Sequence, residues 1–159
     1  MAVPFTIDLS GKVAVVTGGG GILCGRMAEA LADCGASVAV LDYSEEKLAI
    51  QVERIVAAGG KAMGVWADIM DADGLKDAAA RVRQEMGPCD LLVNGAGGNS
   101  PKATTSVETL EPALLTGPAT DATTFFDLTQ SGFEAVFGVN LIGTLLATQA
   151  FSRDMAAHG

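Results

Sequence analysis

The hydrophobic positions of this chain fall into two kinds of segment, which alternate from the N-terminus onward. Short, unbroken apolar runs are typical of strands buried on both faces, whereas longer segments with apolar residues at helical spacing are typical of amphipathic helices. The runs predict four strands, at Lys12–Thr17, Ser37–Asp42, Ala62–Ala67 and Asp90–Asn94. The longer segments predict three helices between them, at Leu23–Cys34, Ser44–Ala58 and Asp71–Met86. This βαβα order predicts an α/β fold with a parallel sheet, right-handed crossovers and helices on both faces.

The boundaries of the predicted helices carry signals of their own. Ser44 is placed to cap the second helix, and Glu45 and Glu46 suit its first turn because carboxylates favour the positive end of the helix dipole. Glycine follows each of the three helices and stops it, at Gly35, Gly59-Gly60 and Gly87-Pro88.

The regular alternation stops at Gly95. Residues Gly95–Asp127, rich in Gly, Pro, Thr and Ser, form a connection longer than most loops. A long loop at the carboxyl end of a strand is typical of a substrate site, and the alternative is an insertion without a role. Leu128–Ala157 then predicts one long helix, in which Gly138 and Gly143 are expected to permit close packing against a neighbouring backbone.

A glycine-rich turn joins the first strand to the first helix: Thr17-Gly18-Gly19-Gly20-Gly21-Ile22-Leu23-Cys24-Gly25. Glycine lets the backbone approach a pyrophosphate closely, and the free N–H groups at the start of a helix attract the anion. Asp42 ends the second strand, where its carboxylate can accept hydrogen bonds from a ribose diol. Together these features predict a Rossmann-type dinucleotide site with strand order 3-2-1-4. The alternative is a glycine turn that binds nothing.

Composition narrows the classes of function. The chain has 159 residues, enough for one domain, and 49% of them are hydrophobic. A net charge of −9 argues against a nucleic-acid surface, which needs clustered Lys and Arg. Gly, Thr, Asp or Lys interrupts each apolar run, which predicts no membrane span, and residues 1–12 lack the pattern of a secretory signal. The scattered Cys24, Cys34 and Cys89 suit a reducing cytoplasm, and no His, Cys or carboxylate cluster predicts a metal site.

With these residues in this order, the chain resembles the nucleotide-binding half of the short-chain dehydrogenases/reductases. Thr17-Gly18 and Gly21 resemble the family's glycine-rich turn, whereas Ile22 and Cys24 stand where the family usually has glycine. Cysteine is small, so the packing of the helix against the strand is expected to survive this departure.

Further matches follow along the chain. Asp42 resembles the acidic residue that favours NAD over NADP, since a carboxylate repels a 2′-phosphate, although NADP is not excluded. Asp68-Ile69 resembles the pair that lines the adenine pocket, and Asn94-Gly95-Ala96-Gly97 resembles the family's Asn-Asn-Ala-Gly turn. Asn140 matches the asparagine that helps order the catalytic lysine; the alternative is an Asn satisfied by local backbone. The resemblance implies nine cofactor-binding residues: Gly18, Gly21, Leu23, Asp42, Asp68, Ile69, Asn94, Ala96 and Gly97.

The resemblance implies an oxidoreductase that transfers hydride between a nicotinamide cofactor and a secondary alcohol or ketone. The run Gly97-Gly98-Asn99-Ser100-Pro101 most resembles the branch of D-mannonate oxidoreductases or fructuronate reductases, which implies a sugar acid as the small-molecule substrate. The family commonly pairs the helix that matches Leu128–Ala157 across a dimer axis, which implies a homo-oligomer.

The family's catalytic serine and Tyr-x-x-x-Lys segment cannot be placed in this sequence. Tyr43, the only tyrosine, stands four positions before Lys47, but the pair belongs to the adenosine end of the predicted site and its match is interpreted as coincidence. We therefore expect residues 1–159 to be a single cofactor-binding domain, truncated before the catalytic segment and inactive alone. The alternative is a non-catalytic nucleotide-binding or interaction module, whose fourth strand needs a partner to cover its apolar edge.

Overall fold

The computed structural model describes residues 7–116 and 121–158. Part of the segment that bears on a secretory signal, residues 1–6, lies outside the described residues, as does Gly159.

The predicted alternation of strands and helices is confirmed, with boundaries that shift by about one residue. The strands are β1 (Val13–Thr17), β2 (Ser37–Asp42), β3 (Lys61–Trp66) and β4 (Leu91–Asn94). The helices between them are α1 (Ile22–Asp33), α2 (Glu45–Ala57) and α3 (Ala72–Glu85). The strands form one parallel sheet in the order β3-β2-β1-β4, as predicted for a Rossmann-type α/β fold.

Each face of the sheet packs against its own layer of helices. One face places Val16 and Val40 in a buried cluster with Ala28 of α1 and Ile55 of α2. The opposite face packs against α3 and against a later helix, α6 (Thr144–His158), and this cluster includes Val15, Leu41, Leu75, Val82, Ala147 and Phe151. Successive side chains of β1 and β2 point alternately into the two buried clusters. Both strands are therefore apolar throughout.

The connection Gly95–Asp127 contains short helical segments where it is described. These are a 3₁₀ turn at Pro101–Ala103, the helix α4 (Pro112–Thr116) and a second 3₁₀ turn at Phe125–Asp127. The second turn is closed by a capping box, in which Thr124 N–H donates to Asp127 Oδ2 over 2.8 Å. Thr129 N–H donates to the carbonyl of Lys102 over 2.9 Å, so the end of the connection is tied back to its beginning.

The long helix predicted over Leu128–Ala157 is present as the continuous helical stretch Gln130–His158, but it is not α-helical throughout. The helix α5 (Gln130–Phe137) is followed by a π-helical segment, Gly138–Gly143, which leads into α6. Periodicity alone predicts a 3.6-residue turn throughout, because an inserted π turn leaves the same apolar residues in place.

The two glycines of the π segment pack against side chains, which corrects the predicted packing against a backbone. A Cβ added to Gly143 would lie 2.6 Å from Cδ1 of Ile69, and a Cβ added to Gly138 would lie 3.2 Å from Cε of Met70. Ile69 and Met70 follow β3, so the missing Cβ atoms allow the π segment to lie directly on the end of the sheet.

The stretch Gln130–His158 is long and apolar enough to cross a membrane by length and composition, since an 18-residue window within it has a mean hydropathy of 1.4. Polar residues such as Glu134, Asn140 and Gln149 interrupt the stretch, and the absence of a membrane span stays a prediction. Length and composition do not distinguish a membrane span from a helix that packs on a sheet. Ala147 and Phe151 of this stretch are buried in the core against the sheet.

Candidate functional site

A cavity of about 900 Å³ lies at the carboxyl ends of the four parallel strands. Its walls come from the segments that follow β1, β2, β3 and β4, together with Val139 of the π segment. Eight of the nine residues predicted to bind a cofactor line it: Gly18, Gly21, Leu23, Asp42, Asp68, Ile69, Ala96 and Gly97. Residues scattered over about half the chain are thus brought to one place, because parallel strands all end at the same edge of the sheet.

The wall after β1 is the glycine-rich turn and the start of α1. Gly18 has a φ of +63°, a left-handed conformation that favours glycine, and Gly21 stands at the N-cap of α1 without a side-chain cap. The first turn of α1 also holds no acidic residue. The backbone N–H groups of this turn have no acceptor within the helix, so the cavity receives the positive end of a helix dipole.

The other two helices that start at this edge of the sheet are capped differently. Ser44 Oγ accepts a hydrogen bond from Lys47 N–H at the start of α2, which also has Glu45 in its first turn. Asp71 Oδ1 accepts hydrogen bonds of 3.1 Å from two N–H groups at the start of α3. Among these three helices, α1 alone lacks a side-chain cap at its N-terminus, and the residues at that N-terminus line the cavity.

Asp42 braces the glycine-rich turn as well as lining the cavity. Its carboxylate accepts a hydrogen bond from Gly20 N–H over 3.1 Å and another from Ser44 N–H over 3.0 Å. Asp42 as a whole is only 8% exposed, and a Cβ added to Gly20 would lie 2.9 Å from Asp42 Oδ2. The carboxylate is therefore held in one orientation, with lone pairs remaining for a ligand in the cavity.

The end of the cavity beside Asp42 holds residues that the sequence analysis did not select for the site. Trp66 is 54% exposed, and its indole N–H donates to the carbonyl of Tyr43 over 2.7 Å. Tyr43, Lys47, Trp66 and Met70 all line the cavity. Trp66 ends β3, so its position at the carboxyl end of a parallel strand was the signal that could have identified it.

The wall after β4 approaches the glycine-rich turn backbone to backbone. Thr17 Oγ1 accepts hydrogen bonds of 3.1 Å from the N–H groups of both Gly95 and Ala96. A Cβ on Gly18 would lie 2.8 Å from Cα of Ala96. The two turns therefore form one continuous surface around the middle of the cavity.

Asn94 does not join the other predicted residues in the cavity wall. Its amide Nδ2 donates to Thr148 Oγ1 of α6 over 2.9 Å. The side chain thus links β4 to α6 outside the cavity wall, and cofactor binding by Asn94 stays a prediction. Its partner lies far along the chain, so local sequence could not reveal the contact.

Asn140 is exposed and lies in the π segment. Its Nδ2 donates to the carbonyl of Gly98 over 2.6 Å and to the carbonyl of Val136 over 2.8 Å, while its Oδ1 accepts from Gly98 N–H over 3.3 Å. A Cβ on Gly97 would lie 2.5 Å from Asn140 Oδ1. Asn140 therefore fastens the turn after β4 to the long helical stretch, and its partners include local backbone.

Asp154, a carboxyl group with a displaced pKa, lies at the opposite edge of the sheet, beside the segment before β4. Burial of Asp154 raises the pKa of this carboxyl, but hydrogen bonds from Arg83 and from Cys89 N–H outweigh burial and hold that pKa below its ordinary value. The Arg83 Nε donates to Asp154 Oδ1 over 2.9 Å. This ion pair joins α3 to α6 and is separate from the cavity.

Within residues 7–116 and 121–158, no group of three or more His, Cys, Asp or Glu side chains is arranged to hold a metal ion. The chemistry that the cavity offers is therefore that of glycine backbone, the start of α1 and a fixed carboxylate.

Comparison with known proteins agrees with this geometry. The family model of the short chain dehydrogenases matches residues 12–159. The uncharacterized oxidoreductase UxuB of Bacillus subtilis is 43% identical over 153 residues, which cover 96% of this chain and 53% of UxuB. This chain belongs to the short-chain dehydrogenase/reductase family, a family of oxidoreductases that use NAD or NADP.

Two solved structures are similar in fold and sequence. A candidate D-mannonate oxidoreductase from Haemophilus influenza with bound NAD has a TM-score of 0.86 and 38% identity, and the match covers 94% of this chain and 52% of that one. A metagenomic short-chain oxidoreductase in complex with NADP has a TM-score of 0.72 and 32% identity, covering 94% of this chain and 58% of that one. The chain thus spans about half the length of the relatives that it matches.

Proposed function

We propose that this chain binds NAD in the cavity at the carboxyl edge of the sheet. The observation that carries the proposal is the meeting of the uncapped start of α1, the glycine-rich turn and the fixed Asp42 carboxylate in one cavity. The N–H groups of α1 suit a pyrophosphate, and the carboxylate suits a ribose diol. The NAD-bound Haemophilus structure supports the same assignment.

Asp42 favours NAD over NADP in this arrangement. The carboxylate is held by Gly20 N–H and Ser44 N–H, so it cannot swing away from a 2′-phosphate without losing both hydrogen bonds. Lys47 lines the same end of the cavity and offers a compensating positive charge, which keeps NADP as a weaker ligand rather than an excluded one.

In a longer protein, the bound nicotinamide would accept or give up the hydride of a secondary alcohol or ketone. We assign this chain to the cofactor half of such an oxidoreductase, with the catalytic Ser and Tyr-x-x-x-Lys segment outside residues 1–159. Its match to about half the length of its relatives supports this assignment. A sugar acid is the proposed substrate class, supported by the Haemophilus neighbour described as a candidate D-mannonate oxidoreductase.

The long helical stretch supports association with a second copy of the protein. Phe133, Phe137, Leu141 and Leu145 recur every four residues, and each is at least 41% exposed. Such a stripe on a helix is typical of a helix–helix interface.

The three free cysteines fit a reducing compartment, and we propose a cytoplasmic location that fractionation of the source cells would test.

A fluorescence titration tests the proposed cofactor. Trp66 is the only tryptophan and lines the cavity, so its emission reports a ligand there directly. We expect NAD to change the emission and NADP to bind at least about tenfold more weakly, the equivalent of about 1.4 kcal/mol. Asp42→Ala should weaken NAD binding by about tenfold or more, whereas the control Asp33→Asn, at the far end of α1, should not change it. Absence of any response to either nucleotide would contradict the proposal.

The intact mass of the protein purified from its source separates an enzyme from a non-catalytic nucleotide-binding module. A mass well above 16.1 kDa would place this chain in a longer protein, in which NAD turnover with sugar acids becomes the next assay. A mass that matches 16.1 kDa, together with NAD binding and no turnover, would support the non-catalytic alternative.

A further inference from the structure

Cys24 and Gly95 contact each other where the start of α1 meets the turn after β4. A Cβ added to Gly95 would overlap with the Sγ of Cys24 and would lie 3.3 Å from its Cβ. The same added Cβ would lie 2.9 Å from the carbonyl oxygen of Thr17. The thiol therefore occupies the space that any side chain at position 95 would need.

This contact joins two of the three departures from the family pattern, Cys24 and Gly95, into one steric unit. Cysteine stands where the family usually has glycine, and glycine stands where the family turn has its second asparagine. With Sγ seated on the bare Cα of Gly95, each departure accommodates the other. The two residues therefore fit each other, and Cys24 does not disrupt the glycine-rich turn.

Both residues also line the cavity, so their contact sets the shape of its wall. The backbone of Gly18 lies against Ala96, and Thr17 Oγ1 accepts from the N–H groups of the turn after β4. Those contacts are made by backbone and by Thr17. In the contact of Cys24 with Gly95, by contrast, a side chain of α1 meets the turn directly.

We propose that Cys24 and Gly95 form a coupled positioning pair that fixes the distance between the start of α1 and the turn Gly95–Gly98, and with it the fit of the middle of the dinucleotide. This inference rests on the proposed function, because its effect is measured as a change in the affinity for NAD. The adenosine end of the cavity, at Asp42 and Trp66, is formed by other strands and does not depend on the pair.

A double-mutant cycle tests the coupling. Dissociation constants for NAD and for AMP are measured by Trp66 fluorescence on the parent chain, Cys24→Ala, Gly95→Ala and the double variant. We expect Gly95→Ala to weaken NAD binding by about tenfold or more when Cys24 is present, and by about threefold or less when Ala occupies position 24. Residual loss in the double variant is expected, because the carbonyl of Thr17 stays close to the added Cβ.

AMP and a second cysteine provide the controls. AMP affinity should stay within about twofold in all four proteins, since AMP occupies the Asp42 end, and Cys34→Ala at the other end of α1 should bind NAD like the parent chain. Equal effects of Gly95→Ala in both backgrounds, or a parallel loss of AMP binding, would overturn the positioning role while leaving NAD binding of the parent chain intact. A parent chain that binds neither nucleotide would instead overturn the proposed function, and the positioning role with it.

Discussion

The strands β1 and β4 are parallel neighbours in one sheet, yet the chain encloses them to different degrees. All five residues of β1 are buried, between 0% and 4% exposed, whereas no residue of β4 is buried and Asn94 at its end is exposed. β1 has a strand on each side and helices on both faces, while β4 pairs with β1 alone. The described residues therefore complete the environment of β1 and leave β4 as an apolar sheet edge.

This difference bears on function because the two strands lead into the two facing walls of the cavity. The glycine-rich turn after β1 starts from a fully packed strand, which is what a preorganised phosphate site needs. The turn after β4 starts from a strand with one free side, and it depends on contacts from Thr17, Cys24 and Asn140 to hold its shape. An apolar edge of this kind is a surface for pairing with a further strand.

The largest expected effect is on the alkylation rate of Cys89. This residue precedes β4, so the reactivity of its thiol reports whether the start of the strand is buried. Burial, with help from the nearby Asp154 and Asp90 carboxylates, raises the pKa of the Cys89 thiol to about 11. At pH 8 about one thiol in a thousand is then ionised, against about one in four for a free cysteine, so alkylation should be at least about a hundredfold slower in the native protein than in urea. Peptide-resolved mass spectrometry after timed alkylation measures both rates; equal rates would show that the start of β4 is open.

Matched substitutions on the two strands test the comparison directly. Val15→Ala removes two methyl groups from a fully buried site of β1 and should lower the free energy of unfolding by about 2–3 kcal/mol. Val93→Ala on half-buried β4 should cost about 1 kcal/mol or less, because less apolar surface is lost from the core. Urea unfolding monitored at Trp66 measures both, and equal losses would mean that β4 is as well enclosed as β1.

The next largest change in the free energy of unfolding is expected at Asp154, whose carboxylate links α6 to α3 and to the segment before β4. Asp154→Asn keeps the shape and loses the charge, and we expect a loss of about 1 kcal/mol at pH 7 because the Arg83 partner is half exposed and water screens the pair. The pKa of Asp154 is lowered in the folded state, so its stabilisation is present above the pKa of the unfolded chain and disappears as the pH falls through the folded value. The difference between the parent chain and Asp154→Asn in urea should therefore begin to shrink near about pH 4 and vanish only below the folded pKa of Asp154, which is lower; a difference that does not shrink as the pH falls from about 4 towards about 2 would contradict this assignment.

The sequence was sufficient for the features that depend on local pattern. Unbroken apolar runs identify β1 and β2 because burial on both faces requires them, and parallel pairing then brings Gly18, Asp42 and Asp68 to one edge. That reasoning needs no knowledge of side-chain contacts. The same reasoning places Asn94 with these residues, but it gives no sign of the contact between the Asn94 amide and Thr148.

The features that sequence missed depend on residues distant in the chain. The π segment is seated on Ile69 and Met70, and its helical periodicity gives no sign of this contact. Cys24 and Gly95 each looked like an isolated departure from a motif, and only the fold shows that one fills the space left by the other. Contacts between segments, rather than the segments themselves, set these parts of the site.

The smallest effect on stability is expected at Phe137, on the exposed stripe of the long helical stretch. Its side chain is 59% exposed, so Phe137→Ser should change the free energy of unfolding of the isolated chain by no more than about 0.5 kcal/mol. If the stripe is an interface with a second copy, the same change should weaken self-association in sedimentation experiments across a range of concentrations. Val56→Ser on α2, where Val56 is 53% exposed on the other face of the sheet, is the matched control and should leave association unchanged. Self-association that is equally strong in all three proteins would place the interface elsewhere, with the β4 edge as the next surface to test, because an apolar sheet edge readily pairs with a further strand.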